Sequence, residues 1–181
     1  MKTILHPGDV ALAERGEVLE TLLGSCVALL LTDPRQTVGV MCHIVNAALH
    51  PPINRGAMQV VDLSLSTAEA SSREVSQRLS QRSEGPVARS ALDARFGEPA
   101  FASMALLLSE RGLDIHQCKA WLIGGGAPHV GESNVHWGEE RLARAGIDLL
   151  GSDTGGLAAR RVHWRVGEPP EVTVLPIEAA A

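Results

Sequence analysis

The sequence predicts a mixed α/β fold built on antiparallel β-hairpins. Two apolar runs, at 26–32 and 38–45, are separated by the turn sequence Asp-Pro-Arg-Gln-Thr at 33–37. Two buried strands joined by a short polar turn are typical of a hairpin. The second half of the chain contains both segments with helix signals and further apolar runs typical of strands. We therefore expect helices that flank a sheet.

Other strands are expected where apolar runs lie between turn-forming residues. Residues 9–23 predict one or two strands with a turn at 14–17, and a strand at 119–123 ends in three consecutive glycines. The remaining predicted strands are 147–150, 161–166 and 171–175.

Two segments carry helix signals. Residues 99–111 begin with Pro99, which suits the first helical position, and are followed by Gly112. Asn134 is a plausible N-cap for a second helix that continues to about Ala145. These segments predict two helices in the second half of the chain.

The length of 181 residues suits one domain that covers residues 1–181. Residues 50–90 differ from the rest because they are rich in serine and arginine. We predict a flexible insertion at about 64–90 and a helix around 56–65 within the domain.

Composition and charge exclude several classes of protein. The formal net charge is -5 and no cluster of lysine or arginine stands out, so we expect no nucleic-acid partner. No apolar run approaches the roughly 18 residues of a membrane-spanning helix, and the N-terminus lacks the apolar segment of a signal peptide. We therefore expect a cytoplasmic protein that does not insert into membranes.

Cys26 is the candidate nucleophile. The three cysteines, Cys26, Cys42 and Cys118, have no disulfide spacing, so each is expected to be a free thiol. Only Cys26 follows a Gly-Ser pair, which can form a tight turn and place the thiol at the mouth of a strand. Partial access favours a reactive thiol, and the N–H groups of Ser25 or Cys26 could stabilise an oxyanion.

His43 is the candidate base because the hairpin brings its strand beside Cys26. The predicted turn places Thr32 opposite Val38, a register that makes Cys26 and His43 neighbours on opposite faces of the sheet. A shift of one residue or a β-bulge would place them on one face. Thr21, on the approach to the Gly-Ser turn, carries a hydroxyl that could orient the imidazole.

Other interpretations of these residues stay open. A cysteine in an apolar run is commonly core filler, and a histidine in such a run is commonly a satisfied buried side chain. Cys42, His43 and His50 are conceivable metal ligands, although their spacing matches no zinc pattern. The three glycines at 124–126 lack the Lys-Ser/Thr ending of a P-loop and are explained by a tight exit from a strand.

Several motifs in order resemble the CheD family, the chemoreceptor glutamine deamidases of bacterial chemotaxis. They are Leu23-Gly24-Ser25-Cys26-Val27 with Asp33-Pro34 and the His43 strand, Arg95-Phe96-Gly97, Lys119–Ala127, Val130–Val135, and Thr154–Arg160. These matches cover most of 20–46 and 93–166 and follow the order of the family.

The resemblance implies a fold, an activity and partners. The fold would resemble that of toxin deamidases, a layered α/β sandwich of mixed and antiparallel sheets with flanking helices. The activity would be that of a hydrolase, a protein-glutamine glutaminase that converts chemoreceptor glutamines to glutamate through a thioester on a cysteine nucleophile, with no cofactor or metal. The partners would be the cytoplasmic helices of chemoreceptors and, as in some members, a CheC-like phosphatase.

The resemblance also implies site residues. The catalytic cysteine, histidine and threonine of the family fall on Cys26, His43 and Thr21. The residues expected to supply oxyanion donors or to line the site are Gly24, Ser25, Gly125, Gly126 and Asn134. Two other hypotheses are kept: a regulatory binding module for a chemotaxis phosphatase or receptor with little catalysis, and a metal-dependent hydrolase.

Overall fold

The computed structural model describes residues 1–49, 87–88 and 93–175. Within these ranges the chain forms three layers. Two helices cover one face of a six-stranded sheet, which we call the large sheet, and a four-stranded sheet, the small sheet, covers its other face. The predicted mixed α/β sandwich is confirmed.

The described ranges contain ten strands and two helices. The strands are β1 (Lys2–Leu5), β2 (Val10–Glu14), β3 (Val18–Leu23), β4 (Val27–Thr32), β5 (Val38–Ile44), β6 (Val87–Ala88), β7 (Lys119–Gly124), β8 (Asp148–Thr154), β9 (Arg160–Arg165) and β10 (Glu171–Val174). The helices are α1 (Gly97–Ser109) and α2 (Val130–Ala145), with one turn of 3₁₀ helix at Ile115–Gln117. Among the helices of these ranges, none is both long and apolar enough to cross a lipid bilayer.

The two sheets are mixed. The large sheet has the strand order β6-β2-β5-β4-β7-β8 and the small sheet has the order β1-β3-β9-β10. Neighbouring strands are antiparallel except for β7 with β8 and β1 with β3, which run parallel. The chain passes from the small sheet to the large sheet between β3 and β4, and this crossing becomes important for the site.

Strand β4 explains the long apolar run in the sequence. All six of its residues are buried because both faces of the strand are covered. Leu29 and Leu31 pack in the cluster under the helices, whereas Ala28 and Leu30 pack in the cluster between the sheets. A strand covered on both faces carries apolar residues at consecutive positions, so its sequence does not reveal which face points where.

The β4–β5 hairpin closes one residue later than the sequence predicts. Thr32 pairs with Gly39 instead of Val38. The Asp33 carboxylate explains the difference, because it accepts hydrogen bonds from the backbone N–H groups of Thr37 at 2.6 Å and Val38 at 2.8 Å. These bonds hold Val38 opposite Asp33 instead of Thr32. The predicted register was therefore wrong by one residue.

The observed register brings Cys26 and His43 to the same face of the large sheet. Ala28 pairs directly with His43, and side chains two residues apart along an extended chain point the same way. Cys26 accordingly packs against the cluster between the sheets. A shift of the register by one residue in either direction moves the side chains of a strand to the other face. The predicted register placed Cys26 and His43 on opposite faces, and the observed register places them on one face.

Replacing Asp33 with alanine is expected to destabilise the fold. The side chain is buried and also accepts hydrogen bonds from the Arg35 N–H and the Thr37 hydroxyl, so alanine would leave several donors unpaired. We expect the free energy of unfolding in urea to fall by about 2 kcal/mol. Asp33→Asn keeps one oxygen acceptor and should lose less; an equal loss in both variants would contradict this explanation.

Both helices begin earlier than the sequence predicts. Helix α1 starts at Gly97, two residues before Pro99. Gly97 packs so closely on Trp137 that a Cβ atom on this glycine would lie 2.4 Å from the Trp137 ring. Helix α2 starts at Val130, so Asn134 lies inside it and is buried. The prediction of Asn134 as an N-cap was therefore wrong, although the predicted end of that helix at Ala145 is confirmed.

The predicted insertion at 64–90 and the predicted helix at 56–65 lie outside the described residues, apart from Val87–Ala88. These two residues form β6, which pairs with β2 in the large sheet. The flexible character of the insertion and the single-domain organisation stay predictions.

Candidate active site

The candidate site lies where the chain crosses from the small sheet to the large sheet. Strand β3 ends at Leu23 and β4 begins at Val27, and Gly24, Ser25 and Cys26 make the crossing. Leu23 and Val27 are buried, whereas Gly24 is exposed and Cys26 is half-buried. The crossing therefore places a thiol at an opening of the core between the sheets.

Thr21 and His43 meet between the two sheets. Thr21 belongs to β3 of the small sheet and His43 to β5 of the large sheet, and their exposed fractions are only 2% and 3%. Thr21 Oγ1 lies 2.8 Å from His43 Nδ1 and 3.0 Å from the Leu5 carbonyl oxygen. The hydroxyl that the sequence suggested as a partner of the imidazole thus contacts it directly.

The two contacts of the Thr21 hydroxyl determine the tautomer of His43. A carbonyl oxygen can only accept a hydrogen bond, so the single hydroxyl proton of Thr21 is donated to Leu5. The same hydroxyl oxygen then accepts the Nδ1–H of His43, which leaves Nε2 of the neutral ring without a proton. His43 therefore presents Nε2 as a base.

Burial keeps His43 neutral. Removal from water lowers the pKa of His43 to about 4, and the charge of Asp9 and the Leu5 carbonyl oppose this effect only in part. Nε2 has no hydrogen-bond partner among the described residues. Buried polar atoms normally have partners, so an unpartnered basic nitrogen on the face of a half-buried thiol indicates a functional site.

Cys26 is a thiol rather than a thiolate in this arrangement. Burial raises its pKa, and the Ser25 hydroxyl and the N–H of Cys26 itself, which favour the thiolate, do not outweigh burial. Although Cys26 and His43 share a face, no hydrogen bond joins the sulfur to Nε2. The site thus combines a neutral thiol with a neutral base, and proton transfer belongs to the reaction itself.

Gly125 and Gly126 hold the crossing segment in place. The Gly125 N–H donates to the Cys26 carbonyl and the Gly126 N–H to the Gly24 carbonyl, both at 2.8 Å. A Cβ atom on Gly126 would lie 2.4 Å from the Ala158 carbonyl oxygen, so this close approach of backbones requires glycine. Because both N–H groups already have acceptors, these glycines border the site as supports and not as free oxyanion donors.

The backbone donors nearest to the nucleophile in the chain are those of Ser25 and Cys26 itself. Neither N–H donates to another residue in the described ranges. Backbone N–H groups at a partly exposed turn are well suited to stabilise an oxyanion. Ser25 and Cys26 therefore form a candidate oxyanion hole next to the thiol.

Asn134 reaches the crossing from helix α2. Its side chain hydrogen-bonds to backbone groups of Ser25, Val45 and Ala47, so it contacts the crossing segment, and its part in a functional site stays a prediction. Asparagine can occur both at an exposed N-cap and at a buried position inside a helix. The sequence alone therefore did not show which of the two positions Asn134 occupies.

The loop between β1 and β2 also supports the site, and sequence reasoning missed it. The Gly8 N–H donates to the His43 carbonyl at 2.9 Å, and the His43 N–H donates to the Asp9 carbonyl at 3.0 Å. The loop approaches His43 because β2 pairs with β5 in the large sheet, where Val10 lies opposite Cys42. No local pattern around Gly8 or Asp9 indicates this contact.

The other two cysteines lie outside this site. Both pack in the cluster under the helices, and burial raises the pKa of Cys42 to about 12 and that of Cys118 to about 11. Cys42 and His43 are adjacent on β5 and point to opposite faces, so they cannot bind one metal ion together. No group of three metal-ligating side chains occurs in the part of the chain that the structure describes, which does not include His50.

Comparison with known families agrees with the motifs in the sequence. A family profile described as CheD chemotactic sensory transduction matches residues 79–170, just over half of the chain. The chain belongs to the CheD family. The matched segment contains Gly125, Gly126 and Asn134 and begins after Cys26 and His43.

Individual CheD proteins extend the similarity toward the N-terminus. The probable chemoreceptor glutamine deamidase CheD 3 of Dechloromonas aromatica (strain RCB) is 28% identical over 174 residues, which cover 91% of this chain and 82% of that protein. The chemoreceptor glutamine deamidase CheD of Thermotoga maritima is 25% identical over 173 residues, which cover 92% of this chain and 87% of that protein. Each alignment leaves less than a tenth of this chain uncovered. Even if all of the uncovered residues lay at the N-terminus, the alignment would begin before Cys26, so both alignments include the candidate nucleophile.

The stability of the protein is expected to depend on pH through His43. Its pKa is lowered from 6.5 to about 4 in the folded chain, so between these values the unfolded chain binds a proton that the folded chain does not. The free energy of unfolding should therefore fall as the pH drops through this window, by roughly 2–3 kcal/mol. Urea unfolding of the wild type and of His43→Gln over this range tests the effect, and an equally steep fall in the variant would contradict it.

Proposed function

We propose that this protein deamidates glutamine side chains of chemoreceptors, with Cys26 as nucleophile and His43 as base. The names of its CheD relatives support the reaction and the substrate class. One observation carries the assignment of residues: a buried neutral imidazole, with Nε2 free, lies on the same face as a half-buried thiol.

The first half of the reaction forms a thioester. Nε2 of His43 accepts the thiol proton of Cys26 while the sulfur attacks the side-chain carbonyl carbon of glutamine. The carbonyl oxygen becomes an oxyanion, and the free N–H groups of Ser25 and Cys26 stabilise it. The proton on Nε2 then passes to the amide nitrogen, the C–N bond breaks, and ammonia leaves.

The second half of the reaction consumes water. Nε2 of His43 takes a proton from a water molecule as the water oxygen attacks the thioester carbon. The C–S bond then breaks, the proton returns to the sulfur, and glutamate is released. One water is consumed and one ammonia is formed for each glutamine, and these residues supply every proton transfer.

Thr21 and the burial of His43 suit both half-reactions. The Nδ1–H bond to Thr21 persists when Nε2 gains a proton, so the ring keeps its orientation. A lowered pKa makes the imidazolium a strong acid, which favours donation of the proton to departing ammonia. Neutral His43 is therefore a weak base toward the thiol, but its imidazolium form is an effective acid toward the leaving ammonia.

The surroundings of Cys26 suit a protein substrate. Leu22, on β3, is 54% exposed, and Leu157, next to the Ala158 carbonyl that approaches Gly126, is 66% exposed. Leu22 precedes the crossing segment and Leu157 lies beside the backbone that approaches Gly126, so both can contribute to contact with a protein substrate. A glutamine that projects from a receptor helix can reach a thiol at such an open rim.

The direct test is conversion of receptor glutamines by the purified protein. A cytoplasmic receptor fragment is incubated with the protein, and peptide mass spectrometry locates each glutamine that becomes glutamate while ammonia is measured in parallel. Equal amounts of ammonia and glutamate are expected, with the fragment alone as the control for spontaneous deamidation. If no glutamine is converted above that control, the proposal is wrong.

The proposed substrate also defines where the protein acts. The glutamines in question lie on cytoplasmic helices of receptors, so the proposal includes a cytoplasmic location. Binding of a CheC-like phosphatase, which the family resemblance implies, stays a prediction. Titration of a purified CheC-like phosphatase into the deamidation assay tests it.

A further inference from the structure

Asn134 joins the nucleophile segment to the strand that carries His43. The side chain is 1% exposed and all its hydrogen-bonding groups act on backbone atoms. Nδ2 donates to the Ser25 carbonyl at 3.0 Å and to the Val45 carbonyl at 2.9 Å, and Oδ1 accepts the Ala47 N–H at 2.7 Å. One amide group therefore connects the residue before the nucleophile with the residues that follow β5.

The bond to the Ser25 carbonyl determines where the Cys26 N–H points. No peptide bond in the described residues is cis, and in a planar trans peptide the carbonyl and the following N–H point in opposite directions. Since the Ser25 carbonyl is directed toward the buried Asn134 amide, the Cys26 N–H is directed away from it. This N–H donates to no other residue in the ranges described.

We propose that Asn134 is the positioning residue of the oxyanion hole. By holding the Ser25 carbonyl, it keeps the Cys26 N–H turned toward the position that the substrate oxyanion occupies. The inference rests on the proposed deamidation, because only a reaction through a tetrahedral intermediate uses this donor. Without the amide, the Ser25–Cys26 peptide is free to rotate and the donor leaves its position.

Asparagine suits this position because it combines two donors with one acceptor on a short side chain. In Asn134→Asp, an oxygen can still accept the Ala47 N–H. An ionised aspartate has no donor for the Ser25 and Val45 carbonyl groups, and a protonated one has a single donor. In Asn134→Leu, a side chain of similar size keeps the packing and has no polar atom. The two variants thus separate the bond to Ala47 from the bonds to the carbonyl groups.

The test compares two reactions of the same thiol. Deamidation passes through an oxyanion, whereas alkylation of Cys26 by iodoacetamide displaces iodide from a saturated carbon and forms none. For Asn134→Asp and Asn134→Leu we expect kcat for a receptor fragment to fall by about 10²- to 10³-fold. KM should stay at the wild-type value, and the rate of alkylation should fall far less than kcat, because the Cys26 N–H makes only a small contribution to the thiolate.

His136→Ala is the matched control, because His136 lies exposed on the same helix and pairs with Glu140. It should keep the wild-type rates of both reactions. A folded Asn134 variant with wild-type kcat would overturn the inference. So would a parallel loss of deamidation and alkylation, since that result indicates a structural role for Asn134.

A measurement on the wild-type protein covers the case in which the variants do not fold. A receptor peptide with an aldehyde in place of the glutamine carboxamide adds to Cys26 as a hemithioacetal, whose oxygen occupies the oxyanion position. Amide NMR of isotope-labelled protein should then show a downfield shift of the Cys26 N–H. An unshifted Cys26 signal in the adduct would overturn the inference, and because no turnover is needed, this failure is distinguishable from absence of deamidation.

Discussion

Cys26→Ala is expected to abolish deamidation of receptor fragments. Alanine offers no nucleophile, so no thioester forms, and the rate should fall by at least about 10⁴-fold. Quantitative mass spectrometry of the converted glutamine measures this loss. Because the side chain is small and half-buried, the thermal unfolding temperature should change little, and the loss of activity will not reflect unfolding.

Cys118→Ala is the matched control for the nucleophile. Cys118 is buried under the helices, away from the layer that holds His43, and burial raises its pKa to about 11. This variant should keep its activity, and iodoacetamide should label Cys26 before the two buried thiols. Full activity in Cys26→Ala would end the proposed mechanism, whereas an unreactive Cys26 would favour the regulatory binding module.

His43→Ala should have the second-largest effect. The variant loses the base that accepts the thiol proton and the acid that protonates ammonia, so kcat should fall by about 10²- to 10⁴-fold. Steady-state kinetics on the same receptor fragment measure this fall. A variant with wild-type kcat would show that another group transfers the protons.

Thr21→Val and the pH profile test how His43 is held. Without the Thr21 hydroxyl, the tautomer with a proton on Nε2 becomes populated, and activity should fall by about 10- to 100-fold.

In the wild type, burial holds the pKa of His43 at about 4, so kcat/KM should fall only as the pH approaches that value. An acid limb centred on the ordinary histidine pKa would contradict a buried neutral base.

Local patterns in the sequence were enough for the main elements and the candidate nucleophile. The apolar runs around the 33–37 turn predicted the β4–β5 hairpin, and the glycines after 119–123 predicted a tight strand exit. Cys26 stood out because a Gly-Ser pair precedes it. Such features depend on residues that are close in the chain, and periodicity and turn chemistry report them directly.

The orientation of the candidate catalytic groups could not be predicted from the sequence. The register depends on hydrogen bonds of the Asp33 carboxylate, and one residue of difference moves Cys26 to the face of His43. The tautomer of His43 depends on Thr21 from another sheet, and the Ser25–Cys26 peptide is held by Asn134 from a distant helix. The contacts of Thr21 and Asn134 join residues far apart in the chain, so they exist only after the layers pack. The Asp33 bonds are local to the turn, but the turn sequence did not show which residues the carboxylate would bind.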